Sequence, residues 1–218
     1  IDYTEFGIDS ALLIDNTGVL RDRTGLSRHL QSKGISKVLL TAPAKGDVPN
    51  IVHGVNNRNV DINSESIWSA ASCTTNAIVP VLAVIQQSLG IDKGHVETVH
   101  SYTNDQNLLD NFHDKFRRGR SAAVNMVITE TGAEKAITKV LPELAGKFTG
   151  NSIRVPTPNV SLAVLNLQIE KQTTKEAVNE IMRQAALHGD LVEQIQYSFS
   201  NELVSSDLVG NPSASIFD

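Results

Sequence analysis

The 218-residue sequence has one cysteine, one tryptophan and two methionines. A single thiol closes no internal disulfide, which fits a reducing compartment and sets aside a disulfide-stapled fold. It also leaves a zinc site short of ligands, because the six histidines are dispersed. Long apolar runs are missing. The longest, Ala77–Ile85, has nine residues and contains Pro80, against the roughly 20 that a membrane span needs. No basic segment followed by an apolar one opens the chain, so no signal peptide is expected. Tandem repeats, low-complexity tracts and Gly/Ser linkers are absent. A net charge of −5 and an isoelectric point of about 5.7 argue against nucleic-acid or membrane partners. What remains is an ordinary globular composition, 40% apolar and 20% charged. The chain begins without Met and ends on "NPSASIFD", a strand-like pattern, so both ends read as cuts through a longer protein.

Along the chain the pattern changes near residue 72. Residues 1–72 alternate short apolar runs with polar segments. Strands are expected at 9–15, 36–44, 50–56 and 65–72, with a helix over 20–34 stopped by Gly34. That alternation predicts a parallel sheet with crossover connections. Beyond it, Ile78, Val81, Leu82, Ile85 and Leu89 repeat as one helical face closed by Gly90. Pro80 should kink that helix or mark its first regular turns. A strand follows at 95–103, then an irregular stretch over 104–120. A second amphipathic helix is expected at 133–144, a strand at 160–171, and a third helix opened by a Thr173/Glu176 capping box. Its inner face is Val178, Ile181, Met182 and Ala185. The fold class expected is α/β followed by α+β. Residues 1–72 would be the tail of a Rossmann-type parallel sheet. Residues 73–218 would form a catalytic domain with a mostly antiparallel sheet and long helices on one face.

The lone thiol lies in "SAASCTTNAIVPVLAVI". Packing, metal ligation and nucleophilic chemistry are all open to it. Cys73 has small polar neighbours, and the apolar stripe starts only later. It falls in the first turn of the expected helix, with Ser72 as a possible N-cap. Free backbone N–H groups and the positive helix end there favour thiolate. A nucleophile also needs a base. His100, in the following strand, can reach back to the helix start, while His29, His53, His95, His113 and His188 have weaker contexts. A structural role for His100 stays open on these grounds alone.

The block "SAASCTTNAIVPV" followed by "VETVHSYTNDQ" resembles the phosphorylating glyceraldehyde-3-phosphate dehydrogenases. "RRGRSAAVNMVITETGAEKAITKVLPELAGKFTG" and "RVPTPNVS" continue the likeness in order, and "DNTGVL" and "LLTAPAKGD" extend it upstream. The resemblance implies that Cys73 is the nucleophile toward an aldehyde and His100 its base. It implies a thiohemiacetal, hydride transfer to a nicotinamide, a Cys73 thioester and release by inorganic phosphate as an acyl phosphate. Thr103 and Arg154 match residues that hold the substrate phosphate. Ser72, Thr74, Thr131 and Gly132 match residues around the attacking phosphate. The physics agrees: a guanidinium suits phosphate oxygens, and helix N-termini bind anions. Asn16, Thr17, Gly18, Thr41 and Asn104 match peripheral cofactor positions. The implied cofactor is NAD, with NADP as the alternative; the implied partners are a phosphorylated aldehyde, inorganic phosphate and three further copies in a homotetramer. The implied location is cytoplasmic, and no metal is implied. The basic run "KFRRGR" reads as a solvated loop in an acidic chain, and in the family such a loop lines a neighbouring subunit's cofactor pocket.

The likeness has gaps. The Gly-rich phosphate turn, the acidic residue that reads the adenosine ribose and the C-terminal Asn of the family are not in these 218 residues. Weak or no NAD binding, and no activity, are therefore expected of this polypeptide alone. Ala77 replaces a second Cys, and Glu130 stands where a small hydroxyl residue is usual. A carboxylate beside an anion site opposes phosphate unless a cation neutralises it. Other readings stay open: erythrose-4-phosphate dehydrogenase, a semialdehyde or acyl-phosphate reductase, a cysteine hydrolase, and a non-catalytic assembly module.

Overall fold

The computed structural model describes all 218 residues. Strand β1 (Ala11–Asp15), the single-turn helix α1 (Arg23–Leu26), β2 (Ile35–Leu40) and β3 (Ile67–Ser69) form the first part. The three strands pair in the order β1-β2-β3, all parallel, with Asp15 opposite Leu40 and Leu40 opposite Ser69. Their C-terminal ends therefore share one edge. This is the expected tail of a parallel sheet.

Two expectations fail here. The helix over 20–34 is only α1 plus a 3-10 turn at His29–Gln31. Gly25 lies inside α1 and only Leu26 is fully buried, so too little apolar surface holds a longer helix. The strand at 50–56 is a turn. Asn56 accepts from the Val52 N–H at 2.8 Å and donates to the Asn50 carbonyl at 2.9 Å, so a side chain takes up groups that a ladder would have used.

Next come α2 (Cys73–Leu89), β4 (Ile91–Ser101), β5 (Val127–Thr129), α3 (Ala133–Val140), β6 (Phe148–Val155), β7 (Leu162–Ile169), α4 (Lys175–Leu187), β8 (Ile195–Tyr197) and β9 (Ser215–Phe217). The larger sheet runs β5-β6-β4-β7, with β4/β6 parallel and the other two pairings antiparallel. β8 and β9 make a small parallel pair. Helix α2 packs against α3, α4 and β7, and α3 against β6, so the helices cover one face. Gly94 is required on that sheet: a Cβ there would lie 2.3 Å from the Phe148 ring.

Pro80 lies inside α2, beyond its first turn, so the Asn76 carbonyl receives no helical donor from it. The third helix is capped one residue later than expected. Thr174, with extended backbone, accepts from the Ala177 N–H, and Glu176 falls in the first turn. Strands β5 and β8 had no sequence reading, because three residues carry too little pattern. A cluster of 19 buried residues fills the space between the helices and the larger sheet, and a second of six lies under the parallel sheet. Val52 and Ala71, from the first part, belong to the larger cluster. No helix is long and apolar enough to cross a membrane.

Candidate active site

The edge where β1, β2 and β3 end is the place where parallel sheets bind ligands, and Cys73 lies four residues past the end of β3. The turn into α2 is strained and pinned. Ala71 has φ +59°, in the left-handed region that a residue with a Cβ rarely enters. Its N–H donates to the Ser69 hydroxyl at 3.0 Å, and that hydroxyl lies 2.7 Å from the Ala42 carbonyl. Ser72 then caps α2, its Oγ accepting from the Thr75 N–H at 3.0 Å. The result puts the Cys73 sulfur on an exposed first turn.

His100 reaches it from β4. Cys73 Sγ and His100 Nε2 are 3.6 Å apart. His100 Nδ1 is 2.7 Å from the Ser101 carbonyl. A carbonyl only accepts, so Nδ1 carries the proton and Nε2 is free to take the thiol's. Hydrogen bonding and charge from His100 outweigh burial and bring the Cys73 thiol down to about 7. Thr74 Oγ1, 4.0 Å from the sulfur, adds a weaker contribution.

Arg154 is opposite His100 in the parallel β4/β6 register. Its Nη1 donates to the Ser101 carbonyl at 3.0 Å and to Thr103 Oγ1 at 3.2 Å. Its Nε is buried with no partner, so the guanidinium keeps unused donors. Burial, then the neighbouring Arg118, push the guanidinium down from its ordinary value. Thr103 and Arg154 are thus together beside the Cys73–His100 pair.

Thr131 and Gly132 stand at the start of α3, where Thr131 Oγ1 accepts from the Ala133 N–H at 3.1 Å. Gly132 is exposed, and a Cβ there would meet nothing. No hydrogen bond joins this pair to Cys73, Ser72 or Thr74. Glu130 is exposed, and Lys115 Nζ lies 3.1 Å from its carboxylate, which supplies the neutralising cation.

On the cofactor side, Thr41 Oγ1 donates to Asn16 Oδ1 at 2.8 Å. Thr17, though exposed, folds back on the end of β1, its N–H and hydroxyl both donating to Asp15 Oδ1 at 2.7 Å. Gly18 has φ +67°, which the turn after β1 requires. Asn104 is exposed after Thr103 and makes no hydrogen bond to this group.

Two features escaped the sequence. Arg118 is not the solvated residue that "KFRRGR" suggested. Only 13% of its side chain is exposed. It pairs with Asp105, and its Nε and Nη2 donate to Thr129 Oγ1 at 3.0 and 2.7 Å. The signal available was Gly119 within the basic run: a Cβ there would sit 2.5 Å from the Asn111 carbonyl, so the loop folds back on itself. Asp15 is the second. Its buried carboxylate holds Thr17 and, at 2.9 Å, His29 Nε2. A groove of about 740 Å³ lies elsewhere, between α2 and α4, and holds none of these residues.

Comparison with known proteins follows the same residues. Residues 72–218 match the family model described as glyceraldehyde 3-phosphate dehydrogenase, C-terminal domain. The whole chain is 60% identical to a glyceraldehyde-3-phosphate dehydrogenase-like protein of Pseudomonas aeruginosa, of which it covers 47%. It is 45% identical, again over its whole length, to glyceraldehyde-3-phosphate dehydrogenase 2 of Nostoc sp., covering 63% of that protein. Over 186 residues, 85% of the chain, it is 50% identical to the chloroplastic glyceraldehyde-3-phosphate dehydrogenase A of Zea mays, covering 45% of it. The chain thus spans about half to two thirds of the length of these curated relatives.

Proposed function

The chain belongs to the glyceraldehyde 3-phosphate dehydrogenase family, and from that premise we propose that Cys73 and His100 carry the oxidative phosphorylation of glyceraldehyde 3-phosphate to 1,3-bisphosphoglycerate. The observation that carries it is the 3.6 Å approach of Cys73 Sγ to His100 Nε2 with Arg154 and Thr103 alongside. His100 takes the thiol proton. The sulfur attacks the aldehyde carbon, the carbonyl π bond breaks, and the new oxygen takes that proton, giving the thiohemiacetal. The free N–H groups of the first turn of α2 face the developing oxyanion. Arg154 and Thr103 hold the substrate phosphate, and Arg118 adds positive charge beside them.

Asn16, Thr17, Gly18, Thr41 and Asn104 are the positions that would border a nicotinamide dinucleotide, NAD in the first instance and NADP as the alternative. The sheet edge and the Gly18 turn fit that role, whereas these 218 residues contain no Gly-rich pyrophosphate turn. When bound, the nicotinamide would accept the hydride that leaves the thiohemiacetal carbon. Ser72, Thr74, Thr131 and Gly132 would hold the inorganic phosphate that attacks the resulting acyl carbon and releases Cys73. Lys115 on Glu130 offsets the carboxylate there, so Glu130 does not stand against phosphate uncompensated.

The same proposal divides the chain at residue 72/73 into a cofactor-side unit and a catalytic unit, supported by the six-residue apolar cluster confined to the first part, while Val52 and Ala71 dock that part onto the larger core. It also includes a cytoplasmic homotetramer. Ile128, Ile153, Val99 and Leu162 stand opposite one another across β5, β6, β4 and β7 and form an apolar row on the sheet face away from the helices. Ile128 and Leu162 are 64% and 60% exposed, which suits burial against another copy.

The test needs no cofactor. Glyceraldehyde 3-phosphate should slow iodoacetamide alkylation of Cys73 saturably, because a thiohemiacetal sulfur is no nucleophile. Arg154→Leu should weaken that protection at least tenfold, the scale of a lost charged hydrogen bond. Protection equal to that by unphosphorylated glyceraldehyde would sink the reading. Tighter protection by erythrose 4-phosphate would move the assignment to the four-carbon enzyme.

A further inference from the structure

We propose that Arg154 and His100 compete for the Ser101 carbonyl, so that a phosphate group taken up by Arg154 frees that carbonyl for the His100 Nδ1–H and switches the Cys73–His100 pair toward its ionised form. The inference rests on the reading of Arg154 as a phosphate ligand.

The geometry is a shared acceptor. The Ser101 carbonyl receives His100 Nδ1–H at 2.7 Å and Arg154 Nη1 at 3.0 Å. A carbonyl oxygen has two lone pairs, so both bonds are allowed, but they draw on the same electron density. One donor is a permanent cation and the other becomes a cation only when His100 takes the thiol proton. With the guanidinium on the oxygen, the imidazolium gains less from its Nδ1–H bond and faces a like charge. The carbonyl is held in place for this role. The Ser101 N–H donates to Ser161 Oγ at 3.2 Å, and Ser161 follows Val160, whose φ of +64° is unusual for a β-branched residue. Ser101 is itself buried, 8% exposed, so water does not compete freely for it.

A phosphate on Arg154 removes the opposition. Its charge offsets that of the guanidinium, and its oxygens compete for Nη1, which Thr103 already shares. The carbonyl then serves His100, and the imidazolium with its thiolate partner becomes easier to form. The nucleophile is thereby sharpened when a phosphorylated substrate is in place. Few other charges enter. Helix α2 and strand β5 carry no charged residue. On β4 the residues sharing the His100 face, Val96 and Thr98, are uncharged, and on β6 Arg154 is the charged group. β7 carries no charged residue. The remaining charges are Arg118 with its partner Asp105, His113 at 3.9 Å from that carboxylate, and, from α3 packed on α2 and β6, Glu134, whose buried Oε2 lies toward Gly150 of β6 rather than toward Arg154.

Two effects of Arg154 on the thiol have opposite signs, which makes the test decisive. A guanidinium near the sulfur favours thiolate directly, so its loss would move Cys73 ionisation to higher pH. The shared carbonyl acts the other way. In Arg154→Leu the iodoacetamide alkylation profile of Cys73 should move to lower pH, with the rate at pH 6 up about threefold, a half-unit shift. A profile that moves up or stays put overturns the proposal. Arg154→Gln, which keeps a polar side chain, gives the same comparison if the leucine variant is unfolded. The second measurement uses the unmodified chain: the His100 Nδ1–H proton resonance during titration with glycerol 3-phosphate, followed in parallel by calorimetry. Saturable binding with a downfield move supports the switch. Binding with an unmoved resonance overturns the switch alone. No binding overturns the phosphate role of Arg154 and the switch with it.

Discussion

At the scale of single residues, the proposed chemistry turns on one hydrogen bond to His100. The imidazole would be an indifferent neighbour if Nε2 carried the proton. The Ser101 carbonyl forces the proton onto Nδ1 and leaves Nε2 as the acceptor facing Cys73. The thiol consequently ionises near 7, below the roughly 8.5 of a free cysteine. Because the folded value is depressed, any stability linked to this group is present above the free value and is lost as pH falls through about 7. His100→Asn should return the alkylation midpoint toward the free value and cut the rate at pH 7 roughly tenfold. A midpoint that stays near 7 in that variant would show that the helix terminus, not His100, holds the thiolate. Cys73, His100, Thr103 and Arg154 could be named as candidates because their motifs lie in short, distinctive blocks, and the structure places them side by side. Arg118 was not, because a basic run looks the same in sequence whether solvent or Asp105 faces it.

At the scale of elements, local signals worked where the pattern was long and failed where side chains compete with the backbone. The 17 residues of α2 carry an apolar stripe that no strand could satisfy. The segment at 50–56 looked like a strand and is a turn, because Asn56 offers the backbone closer partners. Thr173 and Thr174 are adjacent candidates for one cap, and only the dihedral angles choose between them. Thr174→Ala should cost about 1 kcal/mol and Thr173→Ala close to nothing, read from urea midpoints. Equal effects would contradict the observed Thr174–Ala177 bond. The pairing of Arg23 with Glu65 ties α1 to the segment before β3, at 3.0 and 2.8 Å. Arg23 holds the Glu65 carboxyl at about 2, overcoming burial. Its contribution is complete above the ordinary glutamate range and disappears as pH falls from about 4.5 to about 2. Glu65→Gln should therefore lower stability at pH 7 by about 1–3 kcal/mol and flatten the acid limb of the stability profile. An unchanged acid limb would place the acid sensitivity elsewhere.

At the scale of the whole molecule, the two sheets meet at the candidate site. The parallel sheet ends on the edge where Asn16 and Thr41 meet, and the turn at Ala71 swings the chain from that edge into the helix that begins with Cys73. Lys139 spans the two parts from α3, its ammonium 3.1 Å from the Ala44 carbonyl and 3.3 Å from that of Gly46. The open face of the larger sheet belongs to this scale as well. Leu162→Glu should lower the sedimentation coefficient to that of a monomer if the apolar row is the contact between copies. An unaltered coefficient would move the interface to another surface.

The amino-acid order by itself determined the class of fold and the family, and it singled out Cys73 and His100 as the candidate pair. Those follow from contiguous motifs and from periodicity, both of which are local. The tertiary structure decided which side chains share an atom. His100 and Arg154 are 54 positions apart, and only the parallel β4/β6 register sets them side by side on one carbonyl. Asp105 and Arg118 meet because the loop folds back at Gly119. Distances between such groups depend on strand register and loop path, which arise from packing the whole chain at once and are written in no short stretch of it.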